Sequence, residues 1–282
     1  MNLALLVGLV ACFLVLVIGG AIHFYRERRR RSFPWFEPEQ LLLFAHRGVP
    51  SRAPENTIPA FEEAIRSGVD GIELDVMETA DGQLVVRHDW DLERTTDGTG
   101  YVWEHSYADI RQFNASHSWS GDFARTAVPT VGEVLDIIPA SMLVNIEIKS
   151  YHWRSTALED KVVAEVRRRG MVDRTIISSF NPFSLLKVKR LEPRLAIGFI
   201  WWDINMPWVL RRPYLLPLVR PDFLHATDRV VTPRVVKWVH LLGMKIYVWT
   251  VNNRPAIEHF KAIGADGIFT DFPELVKQVN RS

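Results

Sequence analysis

The stretch Gly71-Ile72-Glu73-Leu74-Asp75-Val76 predicts a short, buried β-strand that carries two carboxylates. Side chains alternate between the two faces of a strand, so Glu73 and Asp75 point to the same side. Two ionised acids on one buried face repel each other and lose their hydration, and a cation relieves both costs. Hard divalent ions such as Ca2+ and Mg2+ take carboxylate oxygens as ligands, which favours a metal site over a helix cap or a surface charge.

Apolar strand segments alternate with helical segments along most of the chain. The predicted strands comprise residues 41–45, 72–76, 142–149, 175–179, 195–199, 223–226, 245–250 and 267–270. Eight strands, nearly all separated by helices, predict an α/β fold of the (β/α)8 TIM-barrel type. An open doubly wound sheet is the alternative, but no GxGxxG turn follows the first strand.

One long segment, residues 89–128, interrupts this alternation. It is rich in Asp, Thr, Gly, Ser and aromatic residues and has little periodicity. It follows an extended segment at residues 84–86, which comes after the Asp81-Gly82 turn. Long irregular segments in compact domains are usually functional or form a small subdomain, so we predict an insertion here.

The first residues of the chain are predicted to anchor it in a membrane. No charged residue lies between positions 3 and 22, and about 20 helical residues span a hydrocarbon core of about 30 Å. A cleaved signal peptide is the alternative, but no Lys or Arg precedes the apolar run, which is long for such a signal. We therefore predict an anchor at residues 1–25, a basic, proline-containing linker at 26–40 and a barrel domain at 41–282.

The charged residues predict which side of the membrane the barrel occupies. The arginines that follow the apolar run are Arg26, Arg28, Arg29, Arg30 and Arg31. Basic residues next to a membrane span tend to stay cytoplasmic, which places the barrel domain in the cytoplasm. The formal net charge of +1 indicates no nucleic-acid partner. The single cysteine, Cys12, excludes an intrachain disulfide.

Reactive side chains gather where the predicted strands end, which in a (β/α)8 barrel is the active-site face. They are His46, Arg47, Glu73, Asp75, His88, Glu147, Lys149 and Trp249. Trp249 and Phe180 are predicted to line a substrate pocket. The remaining histidines are interpreted as structural or solvated; they are His23, His105, His117, His152, His225, His240 and His259.

This set of groups favours cleavage of a phosphodiester. A hard cation, together with Arg47 and Lys149, neutralises phosphate oxygens as charge develops in the transition state. His46 and His88 can divide the general acid and general base roles, because the ordinary pKa of histidine lies near neutral pH. The chain has no P-loop, which argues against nucleotide-driven phosphoryl transfer.

Seven short motifs occur in order along the chain. They are His46-Arg47-Gly48, Pro54-Glu55-Asn56-Thr57, Glu73-Leu74-Asp75, His88-Asp89, Thr95-Thr96-Asp97-Gly98-Thr99-Gly100, Glu147-Ile148-Lys149 and Thr270-Asp271-Phe272-Pro273. With these motifs, residues 41–278 resemble the glycerophosphodiester phosphodiesterase family. Any one motif is weak, whereas the complete ordered set is specific.

The resemblance implies a TIM barrel with a small insertion after the second strand, and hydrolysis of glycerophosphodiesters to glycerol 3-phosphate and an alcohol. It assigns a divalent cation to Glu73, Asp75 and Glu147. It assigns acid–base catalysis to His46 and His88, and phosphate binding to Arg47 and Lys149. Water attack and a cyclic phosphate intermediate are both compatible with these residues.

Three other functions are considered. Some membrane-anchored relatives are lysophospholipase D enzymes, so lysophospholipids are alternative substrates. A catalytically inactive binding module at the membrane is disfavoured by the complete set of reactive groups. A metal-independent phospholipase C of the phosphatidylinositol type is disfavoured by the three carboxylates.

An aromatic and basic stretch follows the fifth predicted strand and is expected on the active-site rim. It contains Ile200-Trp201-Trp202, Trp208-Val209-Leu210 and residues 214–219, with interleaved arginines. Trp and Tyr beside Arg suit the headgroup layer of a bilayer. Packing against the barrel wall is the alternative.

Overall fold

The computed structural model of the protein describes residues 8, 12, 15, 19, 33–36, 40–119, 123–150, 156–201 and 216–275. Its strands are β1 (Leu42–Ala45), β2 (Gly71–Glu78), β3 (Leu84–Val86), β4 (Leu143–Ile148), β5 (Thr175–Ser179), β6 (Ala196–Trp201), β7 (Phe223–Thr227), β8 (Lys245–Trp249) and β9 (Gly267–Thr270). The sheet order is β1-β9-β8-β7-β6-β5-β4-β2-β3, and β1 also pairs with β2. That last pairing closes eight parallel strands into a ring, which confirms the predicted barrel.

Helices connect the strands and cover the outside of the barrel. Those of the described residues are α1 (Ile58–Ser67), α2 (Tyr107–Ile110), α3 (Val131–Ile137), α4 (Ala157–Arg168), α5 (Pro182–Leu191), α6 (Leu216–Val219), α7 (Pro233–Leu241) and α8 (Arg254–Ala262). Polar side chains cap several of their first turns; the Thr130 side chain, for example, accepts a hydrogen bond from the backbone N–H of Glu133. Such caps satisfy backbone donors that a helix start leaves unpaired.

The barrel interior is apolar at its amino-terminal end. The side chains that fill it include Leu42, Phe44, Leu143, Phe223 and Tyr247. A larger apolar core lies between the outer face of the strands and the helices. The barrel is thus filled at one end, and its polar inward-facing residues lie toward the carboxyl ends of the strands.

Strand β3 and the segment after it form a separate small unit. Strand β3 pairs antiparallel with β2 rather than joining the ring. The insertion contains a 3-10 turn at Val102–Glu104 and the short helix α2. A small apolar cluster, including Leu92, Val102 and Ile110, packs it against β2 and β3. The insertion is therefore held to one side of the barrel by its own core.

The expected rim position is wrong for Trp201. Strand β6 continues beyond residue 199, since Ile200 pairs with His225 and Trp201 pairs with Ala226. Trp201 packs against the core between strands and helices, because alternation turns it outward from the barrel. Residues 202–215 lie outside the described residues, and Leu216 of α6 is buried.

The predicted anchor and the arginine cluster lie outside the described residues, apart from Gly8, Cys12, Val15 and Gly19, which are helical. No helix in the described part of the chain combines the length and apolar character that a bilayer span requires.

Part of the predicted linker packs on the barrel. The Phe33 and Trp35 rings lie 5.2 and 5.7 Å from that of Phe223, at the amino-terminal end of β7. The Trp35 indole N–H donates to the backbone oxygen of Asp173, 2.8 Å away. Residues 33–36 therefore cover the end of the barrel opposite the predicted active site.

Candidate functional site

A cavity of about 600 Å³ opens at the carboxyl ends of the barrel strands. Most of the predicted site residues line it, namely His46, Arg47, Glu73, His88, Glu147, Lys149, Phe180 and Trp249. Asp75, the ninth, is 1 % exposed and lies in contact with this set. The barrel therefore brings together all nine residues, which are up to 203 positions apart in the sequence (249 − 46).

The three carboxylates come from neighbouring strands. Asp75 of β2 is paired in register with Glu147 of β4, and Glu73 lies two residues earlier on the same face of β2. One oxygen from each carboxylate lies within 4.8 Å of the others. Burial, and then the charges of Asp75 and Glu147, raise the pKa of Glu73 well above its usual range.

Two cationic side chains border the carboxylates. Lys149 Nζ lies 2.8 Å from Glu147 Oε1 and 3.4 Å from Asp75 Oδ1. The Arg47 backbone N–H donates to Glu73 Oε2 at 2.9 Å, and its Nε lies 3.5 Å from Asp75 Oδ2. Burial disfavours ionisation of Asp75, but Lys149 and Arg47 outweigh it and hold the pKa of that carboxyl well below its usual range.

The chemistry of these oxygens fits a hard divalent cation. Asp75 Oδ1 is buried and accepts no hydrogen bond from the described residues. Glu73 is buried among like charges, which makes its ionised form costly without a further positive charge. A cation bound by Glu73, Asp75 and Glu147 would supply that charge and contact the Asp75 oxygen that accepts no hydrogen bond in the described part of the chain.

Each of the two histidines pairs with an aspartate through Nδ1. His46 Nδ1 lies 2.8 Å from Asp271 Oδ1, and His88 Nδ1 lies 2.6 Å from Asp89 Oδ1. A carboxylate at Nδ1 favours the tautomer with the proton on that nitrogen, which leaves Nε2 as the proton acceptor. Burial disfavours the Asp271 carboxylate, but the His46 contact outweighs it and lowers the pKa of Asp271.

Several of these supporting residues had no role in the sequence analysis. Asn252 Nδ2 donates to Asp271 Oδ2 at 2.6 Å. Asn56 Nδ2 donates to Asp75 Oδ2 at 2.9 Å, and Glu55 Oε1 accepts from Arg47 Nη1 at 3.0 Å. Asp89, Asp271, Glu55 and Asn56 lie in the ordered motifs, so the motifs contained a signal for them. Their pairings depend on loops that the barrel brings together.

Aromatic side chains form part of the cavity wall. The rings of Phe180 and Trp249 are perpendicular, with centroids 6.3 Å apart. Trp90, from the insertion, also borders the cavity and is 44 % exposed. The predicted pocket residues therefore face the cavity, and Trp90 adds an aromatic surface near solvent.

His225, which was interpreted as structural or solvated, is buried and also borders the cavity. His225 of β7 is only 2 % exposed, and it lines the same cavity. Burial lowers the pKa of its imidazole to about 3, so the ring is neutral near pH 7. Phe223 and His225 are two residues apart, so strand alternation places both on the inner face.

Burial of neutral His225 is expected to make the protein sensitive to acid. Below pH 6.5 the unfolded chain protonates this imidazole, whereas the folded chain does so only near pH 3, so stability falls across this window. At pH 4.5 the loss amounts to about 2 to 3 kcal/mol. We compare the free energy of unfolding in urea at pH 7 and at pH 4.5. Between these pH values it should fall by about 2 to 3 kcal/mol less for His225→Phe than for the wild type. Equal losses of unfolding free energy in the variant and the wild type would contradict the assignment of a buried, neutral imidazole to His225.

The sequence matches the model of the glycerophosphoryl diester phosphodiesterase family over residues 46–275. It is 38% identical over 237 residues to a glycerophosphodiester phosphodiesterase of Caldanaerobacter subterraneus, covering 83% of this chain and 96% of the relative. It is 37% identical over 240 residues to the enzyme of that name from Bacillus altitudinis, covering 84% and 97% of the two chains.

Solved structures that share the fold include two phosphodiesterases. The first is a phosphodiesterase of Oleispira antarctica in complex with the product sn-glycerol-3-phosphate, with a TM-score of 0.73 and 28% identity over 86% of this chain and 97% of that one. The second is the glycerophosphodiester phosphodiesterase of Agrobacterium tumefaciens, with a TM-score of 0.71 and 28% identity over 84% and 98% of the two chains.

Proposed function

The chain belongs to the glycerophosphoryl diester phosphodiesterase family and is a phosphodiesterase of that family, and from this premise we propose the substrate and the mechanism. It hydrolyses glycerophosphodiesters to sn-glycerol 3-phosphate and an alcohol, in a reaction that depends on Ca2+ or Mg2+. The observation that carries the proposal is the meeting of three carboxylates, two cationic side chains and two His–Asp pairs at one barrel mouth. The product complex of the Oleispira antarctica relative also supports it.

Phosphate binding is assigned to positively charged groups, which complement the negative phosphate. Glu73, Asp75 and Glu147 would hold the cation, which would supply positive charge to neutralise the phosphate oxygens. Arg47 and Lys149 lie beside the carboxylates and supply the N–H donors that orient the phosphate. Their pairing with carboxylates fixes both side chains before substrate binds. Little conformational entropy is therefore lost when they contact the phosphate.

Proton transfer is assigned to His46 and His88. Nε2 of one imidazole accepts the proton of the attacking hydroxyl, while Nε2 of the other, protonated, donates to the leaving alcohol oxygen. Asp271 and Asp89 hold the two rings through Nδ1 and stabilise the imidazolium that forms. The attacking hydroxyl belongs either to water or to the neighbouring glycerol carbon.

Water-soluble diesters are favoured over the alternative substrates, lysophospholipids. Residues 33–36 pack at the amino-terminal end of the barrel, with Phe36 against Lys245 Nζ at 3.8 Å and Phe33 against Phe223. A membrane anchor at residues 1–25 would therefore be joined to the barrel at the end opposite the cavity mouth. This point of attachment favours a mouth that is open to soluble substrates.

Release of headgroups from paired substrates tests this preference. Glycerophosphocholine and glycerophosphoethanolamine are compared with their lysophospholipid counterparts, using the full chain and measuring free choline or ethanolamine. We expect a higher kcat/KM for both soluble diesters. Higher values for the lysolipids would instead establish lysophospholipase D activity.

For the cellular location we propose a single N-terminal anchor with the catalytic domain in the cytoplasm. The uncharged run between positions 3 and 22 and the arginines that follow it support this orientation. A reporter that is active only in the cytoplasm is expected to be active when it is fused after Ser282. Reporter activity or glycosylation on the other side of the membrane would contradict this orientation.

A further inference from the structure

Beside and below the carboxylates, the inner part of the cavity wall includes polar side chains that the mechanism above does not use. Asn145 lies on β4 two residues before Glu147 and is paired in register with Glu73, so it faces the interior level with Glu73 and about 6 to 7 Å deeper than Glu147. Ser178 of β5 and His225 of β7 lie on the same cavity wall. All three side chains are buried. We call Asn145, Ser178 and His225 the polar floor.

Two buried atoms of the polar floor lack a partner among the described residues. Asn145 Nδ2 donates to Ser178 Oγ at 3.0 Å, but Asn145 Oδ1 accepts no hydrogen bond. His225 Nε2 also has no hydrogen-bond partner. Buried polar atoms are nearly always paired, and leaving them unpaired is costly, so their position in a cavity points to a bound molecule.

The barrel holds His225 in a fixed place opposite the carboxylates. In the closed ring, β7 is the fourth strand from β2 in either direction, so His225 faces Glu73 across the barrel. The imidazole stacks on Tyr247, with centroids 5.5 Å apart and planes 7° apart. A Cβ at Gly198 would lie 2.7 Å from the ring, so glycine is needed at that position. The side chain is therefore held before any ligand binds.

We infer that Asn145 and His225 bind the glycerol hydroxyl groups of the substrate, so that glycerol lies deep in the barrel and the alcohol headgroup lies at the mouth. This inference rests on the proposed function. Two adjacent hydroxyls need both donors and acceptors. Asn145 Oδ1 accepts a hydrogen bond, and the neutral imidazole accepts or donates through Nε2 according to its tautomer.

The contrast between the two ends of the cavity supports this orientation. The inner end carries buried polar atoms on Asn145 and His225 beside apolar Ile200 and Phe269, which suits a small diol of constant structure. The mouth is bordered by Trp90, whose ring is partly exposed and suits headgroups of different polarity. An acyl ester on glycerol removes one hydroxyl donor and adds bulk, so the polar floor also disfavours lysophospholipids.

Calorimetric binding of two phosphate monoesters to the full chain with Ca2+ present tests the inference. The probes are sn-glycerol 3-phosphate and propyl phosphate, which lacks both hydroxyls. The wild type should bind sn-glycerol 3-phosphate at least about tenfold more tightly. His225→Phe keeps the ring, and Asn145→Leu keeps the approximate volume; each should raise the Kd of sn-glycerol 3-phosphate about tenfold and leave that of propyl phosphate unchanged.

Tyr247→Phe is the matched control, because it removes a buried hydroxyl beside His225 that does not line the cavity. It should leave both Kd values unchanged. Equal binding of the two probes by the wild type, or an unchanged Kd for sn-glycerol 3-phosphate in both floor variants, would overturn the inference and indicate water as the occupant. A wild type that neither binds sn-glycerol 3-phosphate nor hydrolyses glycerophosphocholine would instead overturn the proposed function.

Discussion

Conversion of Glu73, Asp75 or Glu147 to its amide is expected to lower turnover of glycerophosphocholine by about a thousandfold, because each change removes an anionic oxygen that holds the charge-stabilising cation. The fold should persist, since the amide occupies the same space and relieves repulsion among buried acids. Steady-state kinetics of Glu73→Gln, Asp75→Asn and Glu147→Gln provide the measurement, and calorimetry with Ca2+ and Mg2+ should show weaker binding in each.

Glu78→Gln is the matched control for these variants. Glu78 ends the same strand, β2, but pairs with Lys161 at 2.6 Å outside the cavity. It should retain wild-type turnover and metal affinity. Near-normal turnover in all three site variants would remove the cation from the mechanism.

Alanine at His46 or His88 is expected to reduce kcat at least about a hundredfold, the usual contribution of a positioned proton-transfer group. The matched control is His240→Ala, which breaks another His–Asp pair, with Asp266 at 2.7 Å, away from the cavity. This control should keep its full kcat. A kcat near the wild-type value in a site variant would exclude that histidine from proton transfer.

A substrate with a p-nitrophenolate leaving group distinguishes the two histidines. Such a leaving group departs without a proton, so loss of the general acid should matter little with this substrate. One of the two alanine variants should therefore recover most of its rate, and the other should not. Recovery of both, or of neither, would contradict the division of roles.

The eightfold alternation of strands and helices was sufficient to predict the barrel, since each strand carries its own periodicity and turn residues. Carboxylates two apart on one strand were enough to place Glu73 and Asp75 on one face, because alternation is a local property. The boundary of β6 was missed because its pairing with β7, rather than local composition, extends it to Trp201.

Contacts made through closure of the barrel could not be predicted from spacing. His46 and Asp271 are 225 positions apart and meet only because β9 lies beside β1. The inward orientation of two polar-floor residues, by contrast, follows from strand alternation. Asn145 lies on the same face of its strand as Glu147, and His225 on the same face as Phe223. The unpaired atoms of the polar floor, however, become evident only once the packing around each side chain is known.

The central claim, metal-dependent cleavage of a glycerophosphodiester at the barrel mouth, is tested most directly by 31P NMR of glycerophosphocholine incubated with the full chain. We expect conversion to sn-glycerol 3-phosphate, loss of conversion after chelation with EDTA, and recovery when Ca2+ or Mg2+ is restored in excess. Conversion that continues unchanged in EDTA, or a phosphorus product other than glycerol 3-phosphate or its cyclic precursor, would contradict the account.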